Sequence, residues 1–434
     1  MLLLNVSDIH FNHPICNSQM DPDRPFRTRL IQDARERASA LGPVDAILVS
    51  GDIAYKGLKD EYDAAYLWLT ELANACGCVL ERIYVIPGNH DVNRTTARDQ
   101  SVRNVHRAIS GAPDGTREGE LRAQFLHPET GQALMEPIAE YNKFAARFIC
   151  QVYTPERLFW YQDLPLDGDT TLRIYGLTST LLSGADGQDD RRMGLYLSPL
   201  QTVLDPVDGV VNLVMCHHPP DWLMDQDEVE DAFNGRAMLQ FVGHKHRTRI
   251  HRDTHYTRFS AGAVNPDRNV QGWEPGYNFV RLFVTTEAGH RYLNLEAHLL
   301  VWQTNPDMFR PKSAAHDDPI YRHRMRLPNL PTVRAQSAVT SVAMSPVVML
   351  QPDPYAVAEK ETTMSDRDTR NLVLRFWDLA SSQRREIAVE LNLLEPGELT
   401  ELPEPERYGR ALTRAGERGL LERVAEEIEK REAH

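Results

Sequence analysis

Eight polar residues fall at five places where short apolar runs end, and their types suit metal chemistry. Leu2–Val6 leads into Ser7-Asp8-Ile9-His10, Ala46–Val49 into Gly51-Asp52, and Ile83–Ile86 into Gly88-Asn89-His90-Asp91. Val210–Met215 leads into His217-His218-Pro219, and Leu239–Val242 into Gly243-His244-Lys245-His246. Singly, each has an ordinary explanation. A strand-end histidine is more often a plain hydrogen-bonding residue, and Gly88-Asn89 suits a turn because both residues tolerate unusual backbone angles. Together, in this order and each after an apolar run, they are very hard to obtain by chance. A binuclear centre with ions about 3.5–4 Å apart needs a bridging carboxylate and oxygen or nitrogen donors for each ion. Asp8 and His10, two apart, would face one side of an extended chain. Asp52, short and held by Gly51, suits the bridging place, and Asn89 offers a neutral amide oxygen. His244 and His246 can reach different ions, or the same one, from a tight turn. Two such ions together activate and orient a water and stabilise charge on a phosphoryl oxygen. Histidine and carboxylate donors without cysteine suit manganese first, with iron, zinc or magnesium as alternatives, over a thiolate-bound structural zinc.

Elements must bring these places together. Continuous Val/Ile/Leu runs of this length read as strands buried on both faces. Helix-like stretches at Thr28–Leu41 and Glu61–Ala75 separate the first three, which implies crossover units in a largely parallel or mixed sheet. Ligands gather at the carboxyl ends of such strands, where the polar residues fall. Residues 94–160 interrupt the rhythm with helical patterns at Ala97–Ile109 and Ala133–Ile149, expected as an insertion capping the site. Strands resume at Leu172–Leu177, Phe259–Val264, Tyr277–Val284 and Tyr292–Leu299, the later ones expected in a second sheet. Eight prolines punctuate residues 303–364, a linker or a strap along the first domain. Residues 365–434 read as a small helical module. Its helices are expected at Leu372–Leu379, at Arg384–Leu393 with Ser381 or Ser382 as cap, and at Tyr408–Lys430. In the last, Leu412, Leu420, Leu421, Val424 and Ile428 fall near one face.

Composition narrows the setting. The 434 residues are 41% hydrophobic and 25% charged, ordinary for a globular protein, and no apolar run approaches the roughly 20 residues of a spanning helix. The start, Met1 to Val6, lacks a basic lead and a small-residue cleavage site and runs directly into Asp8, so a cytoplasmic protein is expected. Five scattered cysteines fit reduced thiols. Cys76-Gly77-Cys78 has no second pair to complete a sulfur site. A net charge of −14 disfavours a broad nucleic-acid footprint. Local basic clusters, Arg24, Arg27 and Arg29, then Arg247, Arg249, His251 and Arg252, read equally as solvated charge or as phosphate steering.

The motifs resemble the calcineurin-like metallophosphoesterase superfamily over residues 1–302. The resemblance implies an α/β protein, a four-layer α/β/β/α sandwich with the site at its strand ends. It implies one ion on Asp8, His10, Asp52 and His246, and a second on Asp52, Asn89, His217 and His244. His90 would contact the phosphate and protonate the leaving oxygen, work that suits an imidazole. Asp91 would orient it or only cap the turn. One departure stands out: Tyr55 occupies a place where many relatives carry Asp or Asn, which leaves open how His90 is oriented. Ser7-Asp8-Ile9-His10, Gly88-Asn89-His90-Asp91 and His217-His218-Pro219-Pro220 look like the phosphodiesterase branch that includes cyclic-nucleotide phosphodiesterases, and less like phosphoprotein phosphatases, whose Asp-Arg pair is replaced here by Tyr55-Lys56. The C-terminal module, with Phe376-Trp377-Asp378-Leu379, is similar to effector-associated, death-like adaptor domains of bacterial conflict systems. That implies a protein partner bound through residues 365–434, and a phosphodiesterase acting on a nucleotide, cyclic nucleotide or nucleic acid as a defence effector. The alternatives are an effector nuclease, favoured if Arg247, Arg249 and Arg252 line a basic groove, and a metal-stabilised interaction scaffold.

Overall fold

The computed structural model describes residues 1–152, 157–265, 275–313, 318–328, 366–395, 397–401 and 404–432. The chain opens with β1 (Leu2–Val6), α1 (Arg24–Leu41), β2 (Ala46–Val49), α2 (Lys59–Cys76) and β3 (Ile83–Val85). The apolar runs therefore become strands, and the two helices are the crossovers that make β1, β2 and β3 parallel. Four helices follow: α3 (Gln100–Gly111), α4 (Arg117–Leu126), α5 (Pro128–Met135) and α6 (Ala139–Ala145). Next come β4 (Phe159–Asp167), β5 (Thr170–Leu177), β6 (Val210–Met215), α7 (Gln226–Arg236), β7 (Leu239–Val242), β8 (Arg249–Arg252) and β9 (Thr257–Ser260). The strands end with β10 (Gly276–Glu287), β11 (His290–Gln303), β12 (Met308–Pro311) and β13 (Tyr321–Arg326).

Two sheets result. The first runs β12-β11-β10-β1-β2-β3, with β13 also paired to β11. The second runs β4-β5-β6-β7-β9-β8, parallel from β5 through β9. The long hairpin β10–β11 was expected in the second sheet. It lies in the first, antiparallel to β1, because Leu2 to Asn5 pair with Arg281 to Asn278. Hydropathy alone cannot choose between two sheets that share one core. The Pro-rich stretch contributes β12 and β13 to the outer part of the first sheet, and residues 329–365 lie outside those described.

Side-chain alternation then sets the layers. Leu172 and Ile174 of β5, and Val211, Leu213 and Met215 of β6, face the core that includes the first sheet, α1 and α2. Tyr175, Leu177, Val214 and Cys216 face the other way, into a core with Val102, Val105, Ile109 and Leu121 of the inserted helices and Val229 and Phe233 of α7. The order of layers is helix, sheet, sheet, helix. The insertion is thus mostly an outer layer: α3, α4 and α5 cover the second sheet, whereas Tyr141, Phe144 and Ala145 of α6 join the core beside α2.

The C-terminal module holds α8 (Asp366–Asp378), α9 (Ser381–Glu390), α10 (Glu398–Glu401), α11 (Glu404–Glu417) and α12 (Leu421–Glu432). The single helix expected over 408–430 is broken, because Gly419 takes a φ of +66° and ends α11. The start of α9 also differs from expectation: Ala380 is the cap residue, and its N–H donates to the Gln383 side chain. No helix among the described residues is long and apolar enough to cross a membrane. Leu213 sits on a central strand between the sheets with no exposure. Its replacement by alanine should cost about 2–5 kcal/mol, read as a lowered urea midpoint with an unchanged denaturant slope.

Candidate metal centre

Each place singled out in the sequence lies just beyond a strand end, but the chain does not reach the site by extended alternation. Asp8, His10 and Asp52 each have φ of +54°, His244 +65° and His246 +51°. Left-handed backbone is uncommon for residues other than glycine. Here it turns the chain sharply after β1, β2 and β7, so that consecutive ligand-type side chains converge. Such outliers cluster at functional sites because the surrounding fold holds them. The loops also approach very closely. A Cβ on Gly51, which itself has φ of +93°, would lie 2.5 Å from His217 Nδ1, and one on Gly88 would collide with the Asp52 carboxylate.

All the ligand-type residues meet. Asp8, His10, Asp52 and His246 form one cluster of donor atoms, and His217, His218 and His244 form another. Asp52 Oδ2 lies 3.3 Å from His10 Nε2 and 3.3 Å from His217 Nε2, so one oxygen stands between the two clusters. Asn89 Oδ1 lies 2.8 Å from His244 Nδ1 and 3.2 Å from His217 Nε2. His246 Nε2 is 3.1 Å from Asp8 Oδ1. His217 Nδ1–H donates to the Ser50 carbonyl at 2.8 Å, which leaves Nε2 as the nitrogen facing Asp52 and Asn89.

Charge explains the protonation pattern. Burial pulls the His217 imidazole down, but Asp52 and Asp8 outweigh it and hold it up at about 9. Burial likewise opposes the proton on His246, yet Asp8 raises it above the ordinary value. His244, buried and beside His217, drops to about 3. Burial would raise Asp8, but the neighbouring His246 brings it to about 2. Ring protons on His217 and His246 thus do part of what a cation would do. Asp8 Oδ2 is buried without a partner, an acceptor that a cation would satisfy. The donor set fits two divalent ions.

The sequence of this chain matches the calcineurin-like phosphoesterase family over residues 1–248, more than half its length. The chain belongs to that family. Calcineurin-like folds generally bind two divalent metals, in keeping with the His/Asp clusters of this phosphoesterase. Residues 368–430 match the GTPase-associated adaptor domain. No curated protein matches the chain. Wild-type Vps29 from Entamoeba histolytica complexed with zinc is similar at 11% identity, over 75% of this chain and 99% of that one, with a TM-score of 0.29. A predicted phosphoesterase from Streptococcus pneumoniae shares 11% identity, over 75% and 97%, with a TM-score of 0.28. A putative 5′-nucleotidase from Staphylococcus aureus shares 10%, over 79% and 56%, with a TM-score of 0.31. None of these overlaps is close enough to carry a residue or a substrate across.

His90 stands beside the clusters. Its ring is stacked on Tyr55, with centroids 4.8 Å apart and planes 21° from parallel, and its Nδ1–H donates to the Tyr55 carbonyl at 3.0 Å. The departure at position 55 is therefore answered by backbone and ring. Burial pulls the His90 imidazole down to about 4. Asp91 does not touch that ring. Its carboxylate accepts from the backbone N–H groups of Ile53 (3.2 Å), Ala54 (2.9 Å) and Gly88 (2.8 Å) and from the Tyr62 hydroxyl (3.0 Å). It ties the Asp52 loop to the Asn89 loop. Burial and the nearby Asp52 push it up to about 7, against the pull of those donors.

Sequence reasoning missed several neighbours. His218 joins the second cluster, its Nδ1 2.8 Å from Ser179 Oγ and its Nε2 3.6 Å from Asp190 Oδ2. Trp222 lies edge-on to His244, with centroids 4.0 Å apart. The doubled histidine was the only visible signal, since Ser179 and Asp190 sit in loops without a motif. The four buried cysteines include Cys76 and Cys78, whose thiols burial pushes up to about 12, so neither is a ready thiolate donor.

Because His217 carries a proton up to about pH 9, an ion can take its lone pair only by releasing that proton. Manganese binding by the phosphoesterase should release protons at pH 7 and tighten as pH rises toward 9. Calorimetric titration in buffers of different ionisation enthalpy measures both effects.

Proposed function

We propose that the chain is a binuclear metal-dependent phosphodiesterase acting on a nucleotide, cyclic nucleotide or nucleic-acid phosphodiester. The observation that carries this reading is the single Asp52 oxygen shared at equal distance by the two donor clusters. We assign Asp8, His10, Asp52 and His246 to one ion, and Asp52, Asn89, His217 and His244 to the other, manganese being the first choice. His218 we assign a supporting place, since Ser179 holds its ring. When bound, the ions lower the barrier to attack by water and offset charge on the phosphoryl group. We assign His90 the protonation of the leaving oxygen: its Nδ1–H is given to the Tyr55 carbonyl, so Nε2 is the remaining nitrogen, and with burial pulling the ring down to about 4 it must take up the proton it delivers during the reaction.

A diester rather than a monoester is our reading of the motifs at residues 7–10, 88–91 and 217–220, with Tyr55-Lys56 standing where phosphoprotein phosphatases share an Asp-Arg pair. A polymeric substrate gains no support from the basic cluster after His246. Arg249 does line a cavity of about 360 Å³ with Lys245 and Arg258. However, Lys245 is paired with Asp221 at 2.8 Å and Arg258 with Glu230 at 2.9 Å, while Arg252 lies over the Tyr321 ring. Asp221 and Glu230 thus neutralise Lys245 and Arg258, two of the three Lys and Arg side chains lining this cavity, whose charge a phosphate backbone would need. We divide the chain into this catalytic unit, residues 1–302 with the strap that follows, and the adaptor, residues 365–434. The adaptor's match leads us to a GTPase-bearing protein as partner, and we read the chain as an effector in bacterial defence, in the cytoplasm.

Asp52→Ala and His90→Ala, each purified with manganese, should lose about a hundredfold or more of the kcat for bis-nitrophenyl phosphate, with circular dichroism unchanged. Wild-type rates in both folded variants would sink the assignment, and hydrolysis of phosphomonoesters alone would overturn the choice of a diester.

A further inference from the structure

Helix α2 lies between the metal centre and the adaptor's seat, facing the latter across a cavity. Its first turn serves the centre: the buried Glu61 carboxylate accepts from the backbone N–H groups of His13 (2.9 Å), Lys56 (2.9 Å) and Leu58 (3.1 Å). Tyr62 donates to Asp91, which in turn holds the loops that carry Asp52 and Asn89. The Tyr62 ring also stacks on Phe144 of α6, with centroids 5.1 Å apart. Along this wall the adaptor is seated. Ala146, just after α6, belongs to the same apolar cluster as Leu372, Phe376 and Trp377, and Ile149 packs on it. Helix α8 meets the turn Ala146–Phe148, and α11 meets α6.

The seam between the two domains is incompletely filled. A cavity of about 310 Å³ remains, walled by Tyr62, Tyr66 and Phe144 on one side and by Trp377 and Arg384 on the other. Unfilled space forfeits the dispersion contacts that a close-packed seam would make. The Trp377 indole N–H is buried there without a partner, a donor that water would satisfy on opening. Ion pairs at the rim close within one domain: Lys59 with Asp63, Lys143 with Glu140, and Arg384 with Glu404. They tie nothing across. Apolar burial among Ala146, Ile149, Leu372 and Phe376 helps hold the adaptor down, while two defects lower the cost of lifting it.

We infer that the adaptor domain controls the metal centre through α2, its docking holding the Tyr62–Asp91 bond that keeps the two metal-binding loops in register. The docked adaptor is the active arrangement. Lifting it admits water to the Tyr62 hydroxyl, weakens the tie on Asp91 and lets the Asp52 and Asn89 loops drift apart. A protein partner that claims the docking face of α8 switches hydrolysis down, and one that binds elsewhere on the adaptor leaves it on. The inference rests on reading the centre as a phosphodiesterase, although its structural half is testable without catalysis.

The test uses the full chain with the seam broken from either side, by Ala146→Glu or by Trp377→Ala, and with the bond removed by Tyr62→Phe. Both seam variants should speed amide hydrogen exchange at Ile53, Ala54 and Gly88, whose N–H groups Asp91 holds. With manganese and bis-nitrophenyl phosphate, kcat should fall about fivefold or more, with little change in KM. Adding either seam variant to Tyr62→Phe should produce no further loss, because both act through one bond. Losses that multiply in the combined variants, or unchanged exchange in folded seam variants, overturn the inference. Faster exchange in an intact chain that hydrolyses no diester supports the mechanical link and refutes the phosphodiesterase reading instead.

Discussion

Two carboxylates, Asp8 and Asp52, share one pocket with 0% and 1% exposure, and much of the fold answers that constraint. Buried like charges cost free energy unless opposite charge or donors surround them. Here three imidazoles stand within 3.1–3.3 Å, and the backbone N–H groups of His90 and His244 donate to Asp52 and Asp8 at 2.7 and 3.2 Å. Bringing so many groups onto two side chains requires loops from both sheets to meet. That explains the glycines at 51 and 88, where any side chain would strike a ligand, and the left-handed turns at five ligand-type residues. A scaffold without metal would have little use for such an arrangement.

Strand positions and ligand-type residues were legible in the sequence because both leave one-dimensional traces. An apolar run buried on both faces carries at most one polar residue here (Asn5 in β1, Asn212 in β6, Gln240 in β7), so β1, β2, β6 and β7 begin and end close to where hydropathy changes. Asp8, Asn89, His217 and His246 stood out as polar residues of ligand type at such endings. What was hidden depends on three dimensions. Nothing local to Tyr277–Val284 says which sheet accepts β10, since either offers an apolar face. The conformation of Asp8 and His10 also escaped, as the same spacing suits an extended strand and a left-handed turn. Tyr62 lies in the stretch Glu61–Ala75 that reads only as helix, and its bond to Asp91, 29 positions away, has no sequence trace.

Asp91 changes meaning most between sequence and structure. Of its two sequence readings, service to the His90 ring and capping the turn, the structure carries the second, since Gly88 at the start of the turn donates to it, and adds donors from Ile53, Ala54 and Tyr62. It is a knot between loops. His90 instead leans on Tyr55, where a neutral carbonyl and an aromatic face stand in for a carboxylate. A neutral partner steadies the ring without stabilising its proton as strongly as a carboxylate would. With burial pulling the ring down to about 4, that weaker support leaves Nε2 unprotonated at neutral pH.

The pairing of β1 has a consequence for how the protein is made. Met1 donates to the carbonyl of Leu282, 281 positions away, and β1 lies between β2 and β10. As the chain leaves the ribosome, β2 reaches β1 early, but the other edge of this wholly buried strand must wait for β10. Throughout that interval the nascent protein carries an apolar strand with an unpaired row of amides, the kind of edge that recruits neighbouring chains. Chains stopped before Gly276 keep that edge open, so incomplete translation products of this protein are aggregation-prone by construction.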